Sequence, residues 1–197
     1  MPRPGAAEKR SRMLASLFPA VRRLLVAAAV AAVVLGGLLP ATSSGSATTT
    51  DLRRLDVLSS EVVAAVNGVR LAKGLPRLRL ARSLSRAADS HTASMATVGF
   101  FGHDSPSGET FARRIRRFYP GNSKRSWTAG ENLLATTGDV DARAVVDAWL
   151  ASPAHRKVLL KRGWREIGVA AIYASSPAGV FGGAPTVLVA AEFGTRY

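Results

Sequence analysis

Apolar positions in the middle of the chain recur at spacings of three and four, and near its end they gather into short continuous runs. Leu55, Leu58, Val62, Val66 and Val69 predict an amphipathic helix over 55–71, stopped near Gly74 and Pro76. Leu84, Ala87, Ala88, His91 and Met95 form the stripe of a second helix, opened by Ser83 as N-cap and closed at Gly99. After the turn-rich segment 102–108, Phe111, Ile115 and Phe118 predict a short helix whose Arg113, Arg114, Arg116 and Arg117 face mostly outward. Residues 120–130 read as irregular, and 130–134 precede a further helix with Val145, Val146 and Trp149 as its apolar contacts. Ser152 before Pro153 opens another, placing His155 in a first turn. The period then changes: 166–173 and 187–193 are β-branched and aromatic runs between Gly, Pro and Ser, as in paired antiparallel strands. Helices first and strands last, with too little chain between strands for helical crossovers, predict an α+β fold with an antiparallel sheet.

The first fifty residues are of another kind. Six basic residues and one acid, Glu8, precede an uncharged run of 16 residues, Leu24 to Leu39, which is followed by Pro40 and a Ser/Thr/Gly/Ala stretch. This order is that of a signal peptide, and the run falls short of the roughly 20 residues of a comfortable bilayer crossing. Residues 1–47 are therefore expected to be a signal peptide or a retained N-terminal membrane anchor, 48–57 a linker and 58–197 one folded domain. That places the functional part outside the cytoplasm, extracellular or in the cell envelope.

Charge and cysteine content narrow the chemistry. The chain carries 27 Lys plus Arg against 13 Asp plus Glu. Residues 51–197 hold 21 of those bases and 12 of those acids, a net of +9, so the excess does not belong to the leader alone. Such a surface attracts anionic lipid or envelope polymer. Nucleic acid is a poor fit for an exported chain with no recognised binding motif and no aromatic stacking series. The absence of cysteine excludes disulfides, thiol nucleophiles and Cys-ligated metals. About 145 residues can bury roughly two thirds of their unfolded surface, enough for a core without covalent staples.

The order of short motifs is more specific than any one of them. Asn67 and Arg70 precede GLPRL at 74–78; MA follows at 95–96, FGHDSPSG at 101–108, GEN at 130–132, WLASPAHR at 149–156, IGV at 167–169 and a terminal EFG. Over about 60–194 the chain resembles the bacterial type of the CAP superfamily, the cysteine-rich secretory proteins, antigen 5 and pathogenesis-related proteins. The resemblance implies a three-layer α/β/α sandwich with a central antiparallel sheet and a wide cleft lined by two histidines and one or two acids, which in some members bind a divalent cation. His103, Glu131 and His155 match those positions. Eukaryotic relatives carry a second glutamate three residues after the helix tryptophan; here Ser152 follows Trp149, one donor short of a four-ligand site.

Two imidazoles and a carboxylate are the donor set of an open zinc centre, although separations of 28 and 24 residues leave their convergence to the fold. Metal-bound water with Glu131 as base would make a hydrolase. Ser152 with His155, oriented by Asp104, Glu109 or Asp147, would be a nucleophile and base, but no elbow or oxyanion loop accompanies it and helix capping accounts for the serine. His91 reads as a hydrogen-bonded core residue and Asn132 as a turn former. The leading expectation is a non-catalytic domain that binds a lipid, a cell-surface component or a partner in a His/Glu-lined cleft, with Asn132 and Ser152 as neighbours. The alternatives are a divalent-metal-assisted hydrolase using His103, Glu131 and His155, and a purely structural network.

Overall fold

The computed structural model describes residues 50–121 and 126–197, so the expected leader and the start of the linker lie outside the described residues. The elements run β1 Leu52–Arg54, α1 Asp56–Ala72, β2 Arg79–Leu80, α2 Arg82–Val98, α3 Phe111–Phe118, β3 Trp127–Thr137, α4 Ala142–Ala151, α5 Pro153–Leu159, β4 Glu166–Ala174 and β5 Thr186–Arg196. The sheet has the order β1-β4-β5-β3, antiparallel throughout except for the two-residue ladder of β2 beside β4. Residues 52–54, expected within the linker, are its edge strand, and Asp56 already begins α1.

Alternation along β5 assigns the two faces. Val187, Val189, Ala191 and Phe193 pack with Leu58, Val62 and Val66 of α1, with Val145, Val146 and Trp149 of α4 and with Leu159 of α5. Leu188 and Ala190 meet Ala88, Met95 and Ala96 of α2. Ile115 of α3, with Tyr119 just beyond it, joins Leu84 and Ala87 of α2 in a third apolar cluster. The result is the expected α/β/α sandwich: α1, α4 and α5 cover one face, α2 and α3 the other. Both central strands are covered on both sides, which is why their sequences read as continuous apolar runs.

Two local features let the layers close. A Cβ on Gly168 of β4 would stand 2.0 Å from the Ser85 nitrogen, so α2 lies directly against the strand backbone. Gly99 ends α2 in the left-handed conformation, φ 80°, as expected. The N-cap of α2 is Ala81, not Ser83, and its side chain caps nothing; the chain arrives there from β2 with the Ala81 N–H donating to Ile167 O at 2.8 Å. The sheet ladder rather than a serine hydroxyl sets where this helix begins.

The largest departure from the sequence reading is β3. Residues 127–137, read as irregular and as the lead-in to a helix, form an eleven-residue strand in full register with β5, Trp127 opposite Arg196 and Thr137 opposite Thr186. Gly130, Glu131 and Asn132 lack apolar alternation because each answers a specific neighbour. Gly130 leaves room for the Trp164 ring, Glu131 enters a polar cluster, and Asn132 reaches α5.

Candidate functional site

The site grows from the outer strand β3. Its register sets Glu131 directly opposite Glu192 of β5, so both carboxyl groups point to the α2/α3 side. From α3, Arg114 reaches in and donates from Nη2 to Glu131 Oε2 at 2.7 Å and from Nη1 to the His103 carbonyl at 2.8 Å. Arg114 is 1% exposed, contrary to the outward placement expected for it. The run FARRIRRF puts Phe111, Arg114, Ile115 and Phe118 at positions i, i+3, i+4 and i+7, so Arg114 belongs to the inward stripe with the aromatics. Burying an arginine requires partners that offset its desolvation, and for Arg114 Glu131 supplies a charged one.

His103, on the loop between α2 and α3, closes the cluster with Nδ1 at 2.7 Å from Glu131 Oε1. A carboxylate only accepts, so Nδ1 carries the hydrogen and Nε2 is left pointing away. The imidazole side chain is 55% exposed while the carboxylate beneath it is 1% exposed. The bond to Glu131 raises the His103 pKa above its ordinary value, against the opposing effect of burial. For Glu131, burial pushes the pKa upward; the bond from His103, the contact with Glu192 and the Arg114 charge outweigh it and hold the group below the usual carboxylate range.

Glu192 was not singled out by sequence reading. It is 0% exposed, Arg114 Nη2 stands 3.9 Å from its Oε1, and as an ionised group it would have no hydrogen-bond donor at either oxygen. Burial first, then the Glu131 charge, raise its pKa well above the ordinary value. A protonated Glu192 can instead donate to Glu131, the arrangement two adjacent carboxyls adopt when both cannot ionise. The signal that would have found it is a carboxylate in the middle of the otherwise apolar run 187–193.

His91 is the core histidine the sequence suggested. It is 1% exposed, bonds through Nε2 to Gly102 O at 2.9 Å and lies 3.8 Å from Glu131 Oε2. The bond to a carbonyl requires Nε2–H, and burial lowers its pKa, keeping the ring neutral. By fixing Gly102 it fixes the loop that carries His103.

His155 comes from the other layer. α5 lies on the opposite face of the sheet from α2 and α3, so His155 approaches from the far side of the edge strand β3, near enough to His103 to feel its charge. Its backbone carbonyl accepts from Asn132 Nδ2 at 3.0 Å, and Asn132 sits next to Glu131 in the strand. Asn132 thus anchors α5 from within a strand and does not form a turn. Burial, then repulsion by the nearby His103, lower the His155 pKa. Ser152 occupies the cap position before Pro153 without a side-chain cap bond. Asp104 Oδ1 is bound by Phe111 N–H at 2.7 Å, Glu109 by Arg117 at 2.8 Å, and Asp147 lies 3.5 Å from Arg143. All three acids that might have oriented His155 are engaged elsewhere.

The donor set does not fit a metal ion as it is placed. Each Glu131 oxygen already accepts a hydrogen bond, from Arg114 or His103, and among the described residues no group of three or more His, Asp or Glu is arranged to hold one. A cavity of about 530 Å³ lies at the opposite end of the sheet, among Leu55, Val57, Asp141 and Tyr173, and not at the histidines.

Similarity to known proteins agrees with this geometry. The profile of the cysteine-rich secretory protein family, CAP, matches residues 63–188. The chain belongs to this family. It is 31% identical over 129 residues, 66% of its length, to the uncharacterized protein YkwD of Bacillus subtilis, of which it spans 48%. A crystal structure of an extracellular protein containing an SCP domain from Bacillus anthracis is 27% identical with a TM-score of 0.55, over 70% of this chain and 40% of that one. An outer surface protein of Borrelia burgdorferi shares the fold at 18% identity and a TM-score of 0.60, covering 76% of this chain and 100% of that one. Among the described residues no helix is long and apolar enough to cross a membrane. This CAP domain has no cysteine, so the family fold is held here by packing and buried polar bonds alone.

Proposed function

We propose that this protein is an exported CAP domain that works by binding rather than by catalysis, with His103 as the recognition group of a polar site at the edge of β3. One observation carries the reading: the Glu131 carboxylate is buried and hydrogen-bonded by both Arg114 and His103, while the His103 ring it orients remains exposed. A general base or metal ligand has to be within reach of a substrate or ion, and this carboxylate lies 1% exposed beneath the ring it orients. The exposed Nε2 accepts a hydrogen bond when the ring is neutral and donates one when it is protonated. A raised pKa extends the donating form toward neutral pH, which suits an anionic or carbonyl-bearing group on a cell-envelope component or lipid. His155, across the strand edge, supplies a second, neutral imidazole. Export is supported by the order of the leader and by the extracellular placement of the Bacillus anthracis relative.

Calorimetric titration of the purified protein with zinc, with and without His103→Ala, separates this from the metal-assisted hydrolase. The expected result is no binding at micromolar zinc in either protein. Stoichiometric micromolar binding that disappears in His103→Ala would overturn the reading.

A further inference from the structure

The charges of this domain are sorted by position. At one end of the sheet, hydrogen bonds sew together three segments distant in sequence, 70–79, 159–165 and the end of β5. Arg70 donates to Pro76 O, Leu159 O and Lys161 O at 2.9–3.1 Å, Arg79 N–H to Arg165 O at 3.0 Å, and Arg165 N–H to Gly194 O at 3.1 Å. Lys73, Arg77, Lys161, Arg162 and Arg165 are all exposed there. Glu166 is the acid at this end, and Arg79, Arg196 and the Tyr119 hydroxyl already occupy it. Among the described residues none of those five exposed cations has an acid within ion-pair distance. Beneath them Arg70 is buried with Nη2 unbonded, and burial, then repulsion from Arg165, lower its pKa. The fold therefore packs like charges together where an interspersed acid would have relieved them.

Acids outnumber bases at the other end, where Asp56, Glu61, Asp139 and Asp141 line the 530 Å³ cavity together with Arg53 and Arg54. The chain also enters the domain at that end. Thr50 Oγ1 bonds Ser176 O at 2.7 Å and Asp51 N–H bonds Ser175 Oγ at 2.9 Å, just beyond the last residue of β4. β4 runs from Glu166 at the basic end to Ala174 at the acidic end, eight residue steps or roughly 26 Å. The basic pole thus lies on the side of the domain away from the segment that leads to residues 1–49.

We infer that this pole, built on Lys73, Arg77, Lys161, Arg162 and Arg165, is a docking surface for a linear phosphodiester polymer of the cell envelope. The inference rests on the proposed export of the domain. Arginine predominates, and its planar fork matches phosphate oxygens. Regularly spaced phosphates would neutralise cations that have no acid within ion-pair distance among the described residues, and counterion release would drive the association.

The test measures binding of the full chain to poly(glycerol phosphate), and in parallel to vesicles of phosphatidylglycerol and phosphatidylcholine in equal amounts, across a salt series. Expected is polymer binding that weakens with salt, falls at least about tenfold in K161E/R162E/R165E and stays within about twofold in R113E/R116E, whose exposed cations lie on α3. The milder Lys161→Gln/Arg162→Gln pair should lose affinity in the same direction with an unchanged melting curve, which guards against misfolding of the triple variant. Retention of polymer binding in His103→Ala is expected, so failure of the imidazole site and failure of the pole are read separately. Binding to vesicles but not polymer, or equal losses in both reversal variants, would overturn the inference.

Discussion

Arg114, Glu131 and Glu192 show how single residues decide what this site can do. Three ionisable side chains, none more than 6% exposed, meet on one face of the sheet, and the arginine neutralises one carboxylate while the second is pushed toward its protonated form. The sign of the Glu192 effect follows from linkage. Its folded pKa lies above the unfolded one, so its contribution is fully favourable below the ordinary carboxylate range of about 4.3 and is lost as pH rises toward the folded value. Glu192→Gln keeps the shape and brings an N–H that can donate to Glu131 without the proton cost. Urea denaturation should find this variant more stable than the parent at pH 7, with the advantage shrinking as pH falls toward 4. An equal loss of stability at both pH values would show that Glu192 is ionised in the fold. The sequence concealed this trio because arginine runs usually face solvent. Only the inward stripe of α3 and the carboxylate in the apolar run of β5 betray it.

Among the elements, those with strong periodicity were legible and those defined by pairing were not. α1, α2 and β4 stand where their apolar spacing put them, within a residue or two at the ends, α4 contains the three apolar contacts expected of it, and β5 runs three residues past 193. β1, with three residues, and β2, with two, carry too little pattern to register, and β3 owes its conformation to eleven partners on β5. The three candidates of the polar site were found by motif, whereas the strand that presents Glu131 and Asn132 was not. Contact between α2 and β4 depends on a missing side chain at Gly168, whose added Cβ would collide with backbone that cannot rotate away. Gly168→Ala should therefore cost at least the upper part of the ~1–3 kcal/mol range for overpacking, as a lowered urea midpoint. Because α2 leads into the loop bearing His103, the same variant should broaden the His103 resonance. A variant as stable as the parent would mean that α2 lies farther from the sheet.

At the scale of the molecule, a cysteine-free CAP domain is held by a two-sided sheet and by polar clusters at its edge, with its charges sorted toward opposite ends. Fold class and family were readable from motif order, while the sorting of charge was not, since it arises only when 73–79 and 157–165 are brought together by the buried Arg70. The histidines give the whole domain opposing responses to pH. The His103–Glu131 bond contributes stability that is full below the unfolded imidazole value of about 6.5 and is lost as pH rises through the raised folded value. His91 and His155, held neutral mainly by burial, contribute stability present above that value and lost as pH falls through their depressed folded values. The central claim is that Glu131 is committed to orienting His103, and the most direct measurement is an NMR pH titration of the His103 ring nitrogens in the metal-free protein. The account predicts a midpoint above the ordinary histidine value, with the hydrogen retained on Nδ1 in the neutral ring. A midpoint at or below that value, with the hydrogen on Nε2, would contradict it.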